Sequence, residues 1–137
     1  MNANRMAIEA MLTAWQGGDF DALPALLADD ARWTIAGSSV LAGTVESKPR
    51  ILAQILGPFG GRFARSPDRF RPRTIHGIYA DGDSVVAWFD GAGITNDGWT
   101  YRNSYAWIMA MRNGRLIRVT AFFDGKALDD LWERVRP

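Results

Sequence analysis

The chain has 137 residues, 47% hydrophobic and 23% charged, enough for one domain with a real core and an ordinary globular balance. With 16 Lys and Arg against 15 Asp and Glu the net charge is +1, so no bulk field selects nucleic acid or acidic partners. Cysteine is absent, which excludes disulfides, thiolate metal sites and a Cys nucleophile. Met1-Asn2-Ala3-Asn4-Arg5 runs into a helical pattern without the apolar run of a signal peptide, and no segment has the apolar length of a membrane span. The expectation is a cytoplasmic protein with neither a membrane nor a nucleic-acid partner.

In chain order, Ile8, Met11, Leu12 and Trp15 lie at i, i+3, i+4 and i+7, the apolar stripe of a first helix that Gly17-Gly18 ends. Asp19 offers a cap for a short second helix through Phe20, Leu23, Leu26 and Leu27, with Pro24 tolerated in its first turn. Arg32 to Ala36 reads as a strand carrying Trp33 and Ile35 on one face. Ser47-Lys48-Pro49 starts a third helix whose stripe is Ile51, Leu52, Ile55, Leu56 and Phe59. That helix stops at Gly57-Pro58 or at Gly60-Gly61.

From Phe70 the period changes from helical to alternating. Strands are expected at about 70–79, 84–94, 99–111 and 115–123. They are separated by Asp81-Gly82, Asn96-Asp97-Gly98 and Asn113-Gly114, the strongest short hairpin signals, so the strands form an antiparallel meander. Leu128, Leu131, Trp132 and Val135 mark a terminal helix, capped by Asp124. The whole is a single α+β domain over residues 1–137: a curved antiparallel sheet with helices segregated to one face.

Six Trp, seven Phe and three Tyr are many aromatics for this length, and aromatic residues both fill cores and line ligand pockets. On the strand at 99–111 the odd positions are Trp99, Tyr101, Asn103, Tyr105, Trp107, Met109 and Met111, and alternate residues share a face. That face is either plain core or the wall of an internal pocket, and the polar atoms of Asn103 and the two Tyr favour a pocket, because buried polar groups need partners. With a two-residue loop at Asn96–Gly98, Trp88 and Asp90 lie opposite members of the set Asn103, Tyr105 and Trp107. A three-residue loop puts them on the other face. On the aromatic wall Asp90 is expected to have a raised pKa suited to acid or base work near neutrality.

At the last hairpin, a two-residue Asn113-Gly114 turn puts Phe122 and Asp124 on the aromatic face. A three-residue turn with a bulge instead puts Ile117, Val119, Ala121 and Phe123 there, and this more uniformly apolar set is preferred. His76, the single histidine, lacks a second His for metal and a nucleophile at recognisable spacing, so it reads as structural or surface. Arg62, Arg65, Arg69, Arg71 and Arg73 crowd one loop and strand start. They read as a solvated basic loop, with steering of an anionic ligand as the alternative. Gly57-Pro58-Phe59-Gly60-Gly61 lacks the Gly-Lys-Ser/Thr of a phosphate loop.

Taken together, Ala31-Arg32-Trp33-Thr34-Ile35-Ala36-Gly37, Ala42-Gly43, Tyr101-Arg102-Asn103-Ser104-Tyr105-Ala106-Trp107, Asn113-Gly114-Arg115-Leu116 and Phe122-Phe123-Asp124 carry a resemblance. They resemble SnoaL-like members of the nuclear transport factor 2-like superfamily, which includes ketosteroid isomerases, limonene epoxide hydrolases and polyketide cyclases. The resemblance implies a cone-shaped α+β barrel, a homodimer through the outer sheet face, and no cofactor or metal. Of the isomerase pattern, the base Asp falls on Ile35, and the oxyanion-stabilising Tyr and Asp fall near Met11 and Trp107. Of the epoxide hydrolase pattern, one acid falls on Asp90, the Arg on Trp88, the second Asp on Ala121, and the water-holding pair on Trp33 and Ile35. The same alignment puts Asp90, Trp107, Ala121 and Phe123 on the inner wall. Asp124 is a common acidic position there, for which helix capping is a sufficient explanation.

Two functions follow as expectations. One is proton-transfer chemistry on a small hydrophobic molecule, an isomerisation, cyclisation or hydration, with Asp90 as the catalytic acid or base. Its binding residues would be Trp33, Ile35, Trp88, Tyr101, Asn103, Tyr105, Trp107 and Phe123. The other is a non-catalytic ligand-binding or dimeric accessory module.

Overall fold

In the computed structural model, which describes residues 2–65 and 67–137 (Met1 and Ser66 lie outside the described residues), the first apolar stripe forms helix α1 (Ala3–Gln16). The Asn2 side chain caps it by accepting from the Arg5 N–H at 2.9 Å. Ile8, Met11 and Leu12 are buried, and Gly18, at φ 106°, turns the chain out of the helix. Helix α2 (Ala22–Leu26) begins later than Asp19 suggests. The Asp19 carboxylate accepts from the Asp21 N–H at 3.1 Å, holding the turn before the helix rather than its first amide groups. Leu27, expected in that helix, instead opens strand β1 (Leu27–Ile35), where Trp33 and Ile35 are buried side by side on one face.

Strand β2 (Gly43–Glu46), too short to carry a pattern, hairpins back on β1. The third helical segment runs as α3 (Lys48–Ile51), a π-helical turn (Leu52–Leu56) and α4 (Gly57–Gly60). Pro58 lies inside it and has no N–H to donate, and its ring crowds the preceding turn. The helix accommodates it by widening: the Gly57 N–H reaches the Leu52 carbonyl, five residues back. A Cβ at position 57 would lie 2.6 Å from that carbonyl oxygen, so the wide turn also requires glycine.

Four long strands follow: β3 (Arg71–Asp81), β4 (Ser84–Ile94), β5 (Thr100–Arg112) and β6 (Arg115–Phe123), then helix α5 (Gly125–Arg134). Among the described residues the strands form one curved, unclosed sheet in the order β2-β1-β6-β5-β4-β3. The meander β3 to β6 is antiparallel, but β1 runs parallel to β6, so the sheet is mixed rather than wholly antiparallel. Helix α1 packs on β3 and β4, α3 on β1 and α5 on β5, and among the described residues the opposite face of the sheet is uncovered by helices.

The β5/β6 hairpin combines both expected features. Asn113 (φ 51°) and Gly114 (φ 75°) form a two-residue turn between Arg112 and Arg115, and an irregularity follows between Met111/Leu116 and Ala110/Arg118. Ile117 is the extra residue of that bulge and drops out of the expected inner set, while Val119, Ala121 and Phe123 pair with Met109, Trp107 and Tyr105. Phe122 faces outward and is exposed. Further bulges in β3, at Arg73 and His76, add to the curvature of the sheet.

On the inner face of β4 the side chains shrink from Phe89 to Gly91 and Gly93, and the space is taken by Phe70, whose ring crosses above Gly91. At Gly93 a Cβ would lie 2.7 Å from both the backbone N and the Cα of Phe70. Backbone cannot rotate aside as a ring can. Gly93→Ala is therefore expected to lower stability by about 1–3 kcal/mol, read as a drop in the urea midpoint at unchanged slope.

Candidate functional site

Strand β5 alternates as its sequence suggests. Tyr101, Asn103, Tyr105, Trp107 and Met109 are buried on the inner face, and Arg102, Ser104 and Ile108 are exposed on the outer one. The β4/β5 hairpin decides what joins them. Thr95 and Trp99 pair across the turn (Thr95 N–H to Trp99 O, 2.8 Å), enclosing the three residues Asn96-Asp97-Gly98. The Thr95 hydroxyl accepts from the Trp99 N–H at 3.0 Å and donates to Asp97, which stiffens the loop. An odd loop keeps even residues opposite even ones, so Phe89 faces Tyr105, Ala87 faces Trp107, and Asp90 faces Ser104.

Asp90 and Trp88 therefore lie on the outer face, not on the aromatic wall. Asp90 accepts from the Ser104 hydroxyl at 2.7 Å and lies 2.9 Å from His76 Nε2; the His76 ring stacks on Trp88 with centroids 4.5 Å apart. Trp88 is 48% exposed. The Ser104 hydrogen bond first, and then His76, hold the Asp90 carboxyl below its ordinary value, the reverse of the raised pKa expected for an acid among aromatics. The serine bonds the carboxylate and not the imidazole, so this trio lacks the nucleophile–base contact of a hydrolytic triad.

Beneath the inner wall lies a cavity of about 290 Å³. Its floor is built from buried Trp33, Ile35, Tyr105, Trp107, Ala121 and Leu128; the half-buried Phe123 also lines it. Helix α2 and the π-helical turn supply Leu23, Leu52, Ile55 and Leu56, and Trp15, Phe59 and Phe70 complete the aromatic lining. Sequence reasoning did not place these helical and aromatic residues at the site. The signal available for them was the unusual π-turn sequence and the general aromatic excess. Tyr101 and Asn103 stand behind the lining rather than in it.

The polar atoms of the wall form a directed chain. Asn103 Nδ2 donates to the Tyr101 hydroxyl at 2.8 Å, and the Tyr101 and Tyr105 hydroxyls are 2.9 Å apart. Tyr101 is fully buried, and no partner besides Asn103 and Tyr105 reaches its hydroxyl among the described residues. Its proton is satisfied only by donation to Tyr105, which leaves the Tyr105 proton without a partner among the described residues. Burial raises the pKa of both tyrosines, that of Tyr105 well above normal, so both remain neutral donors. Trp107 Nε1 is buried and has no partner among the described residues. A second recess, outside the sheet, is lined by Arg73, Thr74, Asp90, Arg102, Ser104 and Asp124 among others. Among the described residues no three His, Asp or Glu side chains are grouped to hold a metal ion, and no helix is long and apolar enough to cross a membrane.

A depressed carboxylate stabilises the fold above its unfolded pKa of about 3.9, and that contribution disappears as pH falls through the lower folded value. Wild type is expected to exceed Asp90→Asn in urea midpoint at pH 7 by a small margin that closes toward pH 3. An equal gap at both pH values would show that the carboxylate's ionisation carries none of it.

Similarities to known proteins agree with this architecture. Bal32a, from a soil-derived mobile gene cassette, superposes with a TM-score of 0.75 at 24% identity, covering 94% of this chain and 95% of its own. A nuclear transport factor 2-like protein of Burkholderia thailandensis gives a TM-score of 0.75 at 17% identity, covering 96% and 98%. An M. tuberculosis epoxide hydrolase of limonene-epoxide-hydrolase-like type gives 0.66 at 24%, covering 96% and 90%. No curated protein matches. The SnoaL-like domain model matches residues 8–119, from the first buried residue of α1 to the inner face of β6, and the chain belongs to the SnoaL-like domain family.

Proposed function

We propose that the chain binds a small, largely apolar, aromatic-sized molecule in the cavity and holds an acceptor oxygen of that molecule on the Trp107 and Tyr105 donors. The observation that carries this reading is the Trp107 Nε1–H, buried without a partner in a residue that lines the cavity. An orphan donor costs on the order of 1–3 kcal/mol, which a ligand carbonyl or ether oxygen would recover once a small turn of the Trp107 ring opens the N–H to the cavity. The aromatic lining supplies the apolar contact, and the neutral Tyr105 supplies a second donor.

Binding is favoured over proton transfer as the primary role. Among the described residues the cavity lining carries no carboxylate except Asp21, which is exposed, and Asp90 lies on the far face of the sheet. Any turnover would proceed by polarising the bound oxygen with two neutral donors rather than by moving a proton onto a carboxylate. The similarity to an epoxide hydrolase is similarity of fold.

Calorimetric titration with 2-acetylnaphthalene and with 2-isopropylnaphthalene, the same body without the oxygen, tests the reading. The ketone is expected to bind more tightly, and Trp107→Phe to weaken it about three- to tenfold while barely affecting the hydrocarbon. Absence of binding by both molecules would overturn the cavity as a ligand site.

We also propose a homodimer through the outer sheet face. Tyr79, Trp88, Ile108 and Phe122 are exposed there, and Phe122 and Trp88 flank Ala106 on adjacent strands. Large apolar side chains clustered on a face uncovered by helices are a common sign of an interface. Sedimentation equilibrium across micromolar concentrations is expected to give twice the chain mass, and Phe122→Glu to give the monomer. A wild-type monomer throughout would count against the interface.

A further inference from the structure

The basic residues between α4 and β3 have separate tasks. Arg62 is buried: its Nε donates to the Val135 carbonyl at 2.7 Å, its Nη1 to the Pro58 carbonyl at 2.8 Å, and its guanidinium lies 3.6 Å from the centre of the Trp132 ring. It ties the helical segment to the C-terminus. Arg73 Nε donates to the Ala92 carbonyl at 3.3 Å, on the sheet. Arg69 does neither. It lines the cavity, half-buried, with its guanidinium 5.6 Å from the centre of the Phe20 ring, and among the described residues it makes no ion pair.

The surroundings of Arg69 are shaped for it. A Cβ on Gly60 would lie 2.8 Å from Arg69 Nη2, so the bare glycine lets the guanidinium approach the end of α4 closely. Phe20 and Gly60, which lie near its guanidinium, are half-buried, and the lining residues Asp21, Pro24 and Gly57 are half-buried or exposed, whereas the floor is buried. Arg69 therefore stands at the mouth. Asp21 is the other charged group of the lining; it is exposed and within ion-pair distance of no cation among the described residues.

We infer that the ligand is an organic acid, its apolar body in the cavity and its carboxylate on Arg69 at the mouth, an inference that rests on the cavity being the binding site. The floor, built from Trp33, Ile35, Ala121 and Leu128 with two neutral donors, cannot solvate an anion, because a buried charge is costly unless paired. A guanidinium offers a carboxylate two parallel N–H donors, and a half-buried one holds it more strongly than a fully solvated one. The charge thus fixes the direction of entry: apolar end first, acid last. Arg69 is in this sense a specificity-determining residue, selecting acids over neutral molecules of the same shape.

Naphthalene-2-carboxylate and naphthalene-2-carboxamide, near-isosteric and differing in charge, test this by calorimetric titration at pH 7 and low salt. Wild type is expected to prefer the carboxylate by about tenfold, a preference that shrinks as salt rises. Arg69→Gln is expected to abolish it, and Gly60→Ala, which displaces the guanidinium without removing its charge, to reduce it. Thermal melting establishes that each variant folds; if Arg69→Gln does not fold, the wild-type pair and Gly60→Ala decide. Equal binding of the two molecules by wild type, or a preference that survives in a folded Arg69→Gln, would overturn the inference while leaving the cavity reading intact. If 2-acetylnaphthalene also fails to bind, both fall together.

Discussion

The inner wall depends on one buried amide. Asn103 uses its full hydrogen-bonding capacity. Nδ2 donates to the Tyr101 hydroxyl at 2.8 Å and to the Asp124 carbonyl at 3.0 Å, and Oδ1 accepts from the Ser104 N–H at 2.9 Å and the Asp124 N–H at 3.0 Å. Two of these bonds clamp Asp124, whose own carboxylate caps α5 through the Lys126 N–H at 3.1 Å. The amide therefore fixes where the sheet ends and the last helix begins, and that helix brings Leu128 to the cavity. A third bond sets the direction of the tyrosine chain. Without the amide donor, the Tyr101 oxygen would be free to accept from Tyr105, and the Tyr105 proton would no longer be the unpaired one. Partial satisfaction of such a network is worse than none, which makes Asn103 a residue with few replacements.

Much of this was legible in the sequence. The helical stripe of α1, the start of the third helix at Ser47, whose hydroxyl accepts from the Arg50 N–H at 3.4 Å, the capping role of Asp124 and the boundaries of the four meander strands follow from local rules, and the structure agrees with them closely. So does the segregation of Tyr101, Asn103, Tyr105 and Trp107 onto one face, because pleating imposes a period of two whatever the strand packs against. The parallel pairing of β1 with β6 was not legible. It joins segments far apart in the chain, and no local pattern specifies a partner across that distance. Strand β2 is four residues long and mostly exposed, so it carries almost no periodic signal.

The misplacement of Asp90 has a narrower cause. Side-chain face on one strand is known relative to the next only through the number of loop residues between them, and a change of one inverts the answer. The Asn-Asp-Gly sequence accommodates two or three residues equally well by composition. Thr95 decides, because its hydroxyl holds the loop closed one residue earlier than a two-residue turn would allow. At the β5/β6 hairpin the inner set of Val119, Ala121 and Phe123 survived a wrong loop length because the bulge at Ile117 restored the parity. The apolar pattern there constrained the outcome, whereas Trp88 and Asp90 alternate with residues too small or too aromatic to argue for either face.

The two faces of the sheet thus divide the chemistry. Where water reaches, Asp90 is ionised readily, held below its usual pKa by Ser104 and His76. Where water is excluded, burial raises the tyrosines and leaves only neutral donors, Tyr105 and Trp107. A general acid or base needs a pKa near ambient pH, and neither environment moves a group toward it: the carboxyl has shifted down and the phenols up. An arrangement of this kind distinguishes molecules by where their oxygens and charges lie. On the reading proposed above, an acceptor oxygen is recognised in the interior and, at the mouth, the charge opposite to that of Arg69.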